Sequence, residues 1–173
     1  MGIERSVKTN VTPRVMSRIL HAEQLISTFG EWPDFHDCQI LSVALDRGNH
    51  MTIVEIGDWS NRVGPSLTAR VMTLDDRSGE RTRRLVTLRF NDINEYYMEN
   101  FAYQNPVMGI GLRAEPEDDE VEFRLRVEWG GTVMGHEAEF TCESIVVLSN
   151  DAFDPPLSAK ANHPIQPIAG SGS

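Results

Sequence analysis

Apolar residues recur at helical spacing in only one stretch, near the start of the chain. Val15, Ile19, Ala22 and Ile26 fall three or four residues apart, and Met16, Leu20 and Leu25 widen the stripe. Pro13 suits a first helical turn, where its missing N–H costs nothing, and Gly30 suits the left-handed residue that ends a helix. The spacing predicts one helix, or two short ones, between Pro13 and Phe29.

From Ile40 the period changes to two. Leu41, Val43 and Leu45 alternate with polar or small residues, Asp46-Arg47-Gly48-Asn49 supplies a turn, and Met51 to Ile56 follows as a hairpin partner. Leu67 to Leu74 and Leu85 to Phe90 read as further strands, separated by the polar cluster Asp75 to Glu80. Asp92 to Phe101 fits either a short helix capped by Asp92 or an irregular crossover. The clearest pattern comes last. Val121, Phe123, Leu125, Val127 and Trp129 alternate with Glu122, Arg124, Arg126 and Glu128, as a strand with one buried and one wet face requires. After Gly130-Gly131, Ala138, Phe140 and Cys142 alternate with Glu137, Glu139, Thr141 and Glu143. Near Ser144 the phase slips to Ile145 and Val147, which predicts a bulge or a stretch buried on both faces.

These elements predict a mainly β (α+β) fold: an antiparallel sheet or sandwich of about seven strands with an N-terminal helix. Three regions are expected: a flexible N-terminus over 1–12, a single domain over 13–153, and a tail over 154–173. The tail carries four prolines and ends Gly-Ser-Gly-Ser, too little apolar area to offset its ordering entropy, so it is expected to be disordered or strapped over the surface.

Charge narrows the function. Against 16 Lys+Arg stand 26 Asp+Glu in 173 residues, a formal net charge of −10. A nucleic-acid backbone binder or a polybasic membrane anchor needs the opposite surplus. No apolar run is long enough to span a membrane, and the start, Met-Gly-Ile-Glu-Arg, lacks the charged and apolar regions of a secretory signal. A cytoplasmic location is therefore expected, with Cys38 and Cys142 reduced and serving as small core residues.

Few residues are equipped for catalysis. The densest patch is Gly30-Glu31-Trp32-Pro33-Asp34-Phe35-His36-Asp37. His36 beside carboxylates suggests a general base, and Asp34 with His36 and Asp37 suggests a small metal-dependent hydrolase as an alternative. An extended backbone would turn His36 and Asp37 to opposite faces, however, and the other histidines (His21, His50, His136, His163) lack metal-type spacing. The favoured reading is that His36 and Asp37 make buried hydrogen bonds that pin the helix to the first strand. Gly109-Ile110-Gly111 lacks the third glycine of a dinucleotide loop and reads as a close backbone approach. No catalytic residue, metal or cofactor is expected. Trp59, Tyr96, Tyr97 and Tyr103 are candidates for a small-ligand cluster or for interface anchors, with core filling as the default.

The remaining feature is electrostatic. Glu115, Glu117, Asp118, Asp119, Glu120 and Glu122 put six acids into eight residues with no base among them. A solvated loop tip is the plain explanation, and the functional one is a docking edge for a basic protein partner, where charge raises the association rate.

The string Phe29-Gly30-Glu31-Trp32-Pro33-Asp34-Phe35-His36-Asp37 followed by the strand Ile40 to Leu45 resembles the opening of the immunity protein 50 family. Phe101-Ala102-Tyr103-Gln104-Asn105 and Phe140-Thr141-Cys142-Glu143-Ser144-Ile145 fit the same pattern in the same order, so the similarity spans Phe29 to Leu148. Cys38 and Gln39 stand where the family pattern has a small residue and then an acid. The resemblance implies a non-enzymatic bacterial, cytoplasmic antidote that binds and neutralises a cognate toxin of a polymorphic toxin system. It makes Trp32, Pro33, Phe35, His36 and Asp37 signature residues with a structural role. The partner it implies is a toxin domain, and a basic nuclease would suit the acidic charge.

Overall fold

In a computed structural model, residues 11–48, 64–75, 82–99, 106–116, 121–130 and 137–153 are described. The predicted strand Met51 to Ile56, most of the turn after Asp75, the Phe101 to Asn105 segment and the 154–173 tail lie outside them.

The N-terminal stripe forms two short helices, α1 (Pro13–Met16) and α2 (Glu23–Phe29), with a two-residue strand β1 (Ile19–Leu20) between them. The Thr12 side chain caps α1 by accepting from the Val15 N–H at 3.3 Å, and Val11 packs on the core. Residues 11 and 12, grouped by the sequence with a flexible terminus, therefore belong to the fold. The stripe does not continue as one helix because Arg18 and Ile19 turn their backbone to the last strand, Ser144–Ala152: the Ile145 N–H donates to the Arg18 carbonyl at 2.9 Å. His21 then takes a left-handed φ of 60°. Gly30 ends α2 at φ 77°, where a side chain would be strained.

Two sheets follow, arranged as a sandwich. Their strands after β1 are β2 (Cys38–Asp46), β3 (Ser66–Asp75), β4 (Thr82–Asn91), β5 (Asn94–Glu99), β6 (Pro106–Val107), β7 (Ile110–Glu115), β8 (Arg124–Trp129), β9 (Glu137–Cys142) and β10 (Ser144–Ala152). The first sheet runs β1-β10-β4-β3-β2-β6 and the second β5-β9-β8-β7. Among the described residues eight strands have six or more residues and two have only two, against about seven expected. All pairings are antiparallel except β1 with β10.

The inner faces meet in one core. Leu67, Ala69, Val71, Val86, Leu88, Phe90, Ile145 and Val147 come from the first sheet, facing Leu125, Val127, Trp129, Ala138 and Phe140 of the second. Leu25 and Phe29 add the buried side of α2. Asn150 on β10 ties that helix down, donating to the Gln24 carbonyl at 2.9 Å and to Thr28 Oγ1 at 2.8 Å.

The chain crosses between the sheets twice at one corner. It leaves β4 at Asn91, turns at Asp92 (φ 53°) and enters β5 of the second sheet; it returns from β9 through Glu143 into β10. The two crossings are bonded together, Glu143 N–H to the Asn91 carbonyl at 2.9 Å and Asn91 Nδ2 to Ser144 Oγ at 3.2 Å. Arg124 closes the corner, with Nη1 3.1 Å from Asp92 Oδ2 and Nη2 donating to the Asp92 carbonyl.

This corner corrects the reading of the phase slip near Ser144. Neither a bulge there nor burial on both faces causes it: the strand changes sheet, so its inward side changes with it. The bulge lies further on, between Val147 and Ser149. A second one between Ile40 and Ser42 corrects β2, whose buried residues are Cys38 and Ile40, while Leu41 and Leu45 are exposed. The alternation read from Val121 is likewise shorter than expected, because Val121 is 91 % exposed and the strand begins at Arg124. The segment after Asp92 is the strand β5 rather than a helix or an irregular crossover.

Cys38 and Cys142 are free, fully buried and in different sheets. Burial pushes the Cys142 thiol up to about 12 and the Cys38 thiol higher still. Both are neutral at neutral pH. Modification of the native protein by a thiol reagent is expected to be slowed at least about 1000-fold relative to an ordinary exposed cysteine, with two thiols reacting after denaturation. Rapid native labelling would place one of them at the surface.

Candidate functional site

Two candidate regions were legible in the sequence, and the structure treats them differently. The signature segment joins α2 to β2 in a tight, irregular path. Trp32 and Phe35 turn inward, 6 % and 1 % exposed, with their rings edge to face at 5.9 Å. Phe35 and Asp37 both take φ near 56°, a conformation strained for a bulky side chain and held here by the buried ring. The Asp34 side chain accepts from the His36 N–H at 2.9 Å, and the Cys38 N–H donates to the Phe35 carbonyl at 3.2 Å. Pro33 sits half-buried between the two inward aromatics.

His36 and Asp37 do not point to opposite faces. The turn brings His36 Nδ1 within 3.0 Å of Asp37 Oδ2. Nor are they buried: their side chains are 55 % and 68 % exposed. Pinning of the helix to the strand is done by Trp32 and Phe35, and the His–Asp pair stands in solvent beside them. An imidazole so held keeps its other nitrogen free to bond a partner group. Among the described residues no three of His, Cys, Asp and Glu converge as metal ligands.

Gly109 is the close approach that its sequence suggested. A Cβ there would stand 3.0 Å from the Asp34 carbonyl oxygen, and the next residue, Ile110, donates its N–H to that same oxygen at 3.1 Å. The signature loop thus leans on the start of β7.

The acidic run divides. Glu117, Asp118, Asp119 and Glu120 lie outside the described residues, Glu122 is exposed just ahead of β8, and Glu115 ends β7. Glu115 is not without a base: Arg126 of β8 grips it with Nε to Oε2 at 2.7 Å and Nη2 to Oε1 at 3.1 Å. The same guanidinium reaches Glu139 of β9 at 2.8 Å and Glu95 of β5 at 3.1 Å. One cation therefore joins all four strands of the second sheet on its outer face.

That face is the larger site, and reading the acidic run alone misses it. Glu95 and Glu99 of β5, Glu115 of β7, Glu128 of β8, and Glu137 and Glu139 of β9 share it with Arg113, Arg124 and Arg126. Six carboxylates stand against three guanidiniums. Register sets like charges opposite one another, Glu128 facing Glu139, Glu99 facing Glu137 and Arg113 facing Arg126, and the two arginines answer the first pair, Arg113 Nη2 lying 3.1 Å from Glu128 Oε1 and Arg126 Nη1 2.8 Å from Glu139 Oε1. Tyr97, 53 % exposed, lies on the same face opposite Glu139. A hydrogen bond with Glu99 raises its phenol above the usual range. Tyr96 turns toward Phe140 instead, and Trp59 and Tyr103 lie outside the described residues, so no four-ring cluster is established.

Arg126 holds the Glu115 carboxyl below the usual carboxylate range, chiefly by its hydrogen bonds. A depressed folded-state value means stabilisation that is present above the unfolded carboxylate value and lost as pH falls through the folded one. Arg126→Met is therefore expected to lower stability at neutral pH and to lower it less in acid, near about pH 3, as the carboxylate protonates. Urea unfolding at both pH values checks this, and an equal loss at both would assign the effect to packing.

Comparison with known proteins finds no family model, no curated protein and no solved structure that matches this chain. No helix among the described residues is long and apolar enough to cross a membrane.

Proposed function

We propose that this chain is a non-enzymatic protein-binding module of the immunity type, which neutralises a cognate bacterial toxin by occupying its surface. The observation that carries the reading is the outer face of the second sheet, where carboxylates on four hydrogen-bonded strands outnumber guanidiniums two to one. Its strands hold the charges in fixed positions, so docking loses little conformational freedom. The resemblance of residues 29–37 to the immunity protein 50 family supports the same reading.

The partner that fits is a basic toxin domain, of which a nuclease with a cationic cleft is the natural case. The face and the neighbouring acids Glu117, Asp118, Asp119, Glu120 and Glu122 act together as a long-range attractor, and the exposed Tyr97 anchors contact. Inhibition then needs no catalytic group, metal or cofactor.

Growth rescue tests the proposal. The C-terminal domain of the protein encoded immediately upstream is expressed with and without this chain, and survival is expected only with it. Reversing Glu128 and Glu139 to Lys is expected to slow association with that domain by on the order of tenfold or more at low salt and to flatten its salt dependence. Equal killing in the presence of the chain would overturn the proposal.

A further inference from the structure

The first sheet turns a face of opposite character to solvent. Arg70 on β3 lies opposite Thr87 on β4, and Arg89 on β4 lies opposite Thr68 on β3 and Val146 on β10. Both arginines are exposed, on the side away from the core, and neither has an ion-pair partner among the described residues. Arg83 shares the face opposite Leu74, which is 41 % exposed. The carboxylates on this side, Asp46 and Asp151, sit towards the ends of β2 and β10 rather than at the centre. Two arginines thus stand clear of carboxylates at the centre of one outer face, whereas on the other six carboxylates stand against three guanidiniums.

We propose that the chain self-associates head to tail, the arginine face of one copy seating on the acidic face of the next. Both halves of the contact are on one molecule and complement each other in charge. An isologous pairing would instead set Arg70 and Arg89 against their own copies, or carboxylates against carboxylates. Net charge does not forbid the contact, because at physiological salt repulsion beyond about 8 Å is screened while facing charges are not. Strand spacing of about 4.8 Å and a rise of about 3.3 Å per residue give four strands of six residues a patch of about 15 by 20 Å. Two such patches amount to about 600 Å², below the size of a stable specific interface, so the association is weak, reversible and steeply salt-dependent. A head-to-tail contact leaves one free face of each kind at the ends, so assemblies lengthen with concentration instead of closing at two. The contact would cover the face assigned above to toxin docking, but its measurement uses this chain alone and stands apart from that reading.

Sedimentation velocity over a concentration series tests it, at about 0.15 M and about 0.5 M salt. The mean mass is expected to rise with concentration at low salt and to stay at the 19.5 kDa monomer at high salt. A variant carrying Arg70→Glu and Arg89→Glu, and another carrying Glu99→Lys and Glu137→Lys, are each expected to remain monomeric alone, with circular dichroism confirming their fold. Mixed, they are expected to associate, since the basic first-sheet face of the second variant meets the acidic second-sheet face of the first. A monomer at every concentration, association that survives high salt, or association by either variant alone would overturn the proposal. If a variant fails to fold, the salt dependence of the unaltered chain decides.

Discussion

Truncating Phe140 to alanine is expected to lower stability by about 3–5 kcal/mol and the melting temperature by roughly 10 °C. Phe140 is fully buried on β9, yet its ring lies where the two sheets meet. It stands edge to face with Phe90 of β4 at 5.1 Å and with Trp129 of β8 at 5.4 Å, and Tyr96 of β5 covers it at 6.2 Å. Removing it strips apolar area, breaks these ring contacts and opens a cavity that strands hydrogen-bonded on both sides cannot collapse to fill. Domains are stable by only about 5–15 kcal/mol, so one side chain carries a large share. Phe140→Leu keeps most of the volume and is expected to cost about 1 kcal/mol. Thermal and urea unfolding measure both, and a small loss from Phe140→Ala as well as from Phe140→Leu would show that the ring does not bridge the sheets.

The signature segment yields the second large effect by contrast within five residues. Phe35→Ala is expected to cost about 3–4 kcal/mol, because a ring 1 % exposed is lost from beneath Trp32. The same ring holds the left-handed backbone at Phe35, so its loss also frees the turn that presents His36. His36→Ala is expected to change stability by less than about 0.5 kcal/mol, and Asp37→Ala to cost about 1 kcal/mol, because alanine tolerates the left-handed φ of 56° less well than aspartate. If the segment serves only to fasten α2 to β2, the His36 and Asp37 variants bind the partner as the unaltered chain does. Loss of binding with unchanged stability would move the His–Asp pair from the scaffold into the interface. Large destabilisation by either exposed variant would contradict the turn geometry.

The order of elements was readable because it rests on local physics. Pro13 and Gly30 mark the start and end of the helical stretch, since a proline without an N–H suits a first helical turn and a residue tolerant of positive φ suits the end. Leu125, Val127 and Trp129 are buried as their alternation required. Leu41 misled, because a bulge is set by the partner strand β3 and not by the residues beside it. Val121 misled in another way: alternation continues past the last ladder hydrogen bond, and only pairing ends a strand. An extended backbone would set His36 and Asp37 on opposite faces, which the left-handed Phe35 and Asp37 do not obey.

The candidate site was half visible. The carboxylates at 128, 137 and 139 were recognisable as the wet side of their strands, but nothing local says that Glu128 faces Glu139, or that one arginine reaches Glu95, Glu115 and Glu139 together. Glu95 is 31 residues from Arg126 in the chain. Likewise the slip at Ser144 announced a change of side, while its cause, a strand leaving one sheet for the other, depends on the neighbouring crossing at Asn91.

By itself the sequence determined which residues β8 and β9 hide, where the helical stretch begins and ends, and the acidic balance of the whole. Tertiary structure decided which strands lie side by side, where the chain changes sheet, and therefore that acids distant in sequence form one surface. The reason is the range of the forces. Side-chain alternation and capping act within a few residues, whereas strand neighbours are chosen by contacts across the sandwich that no short window contains.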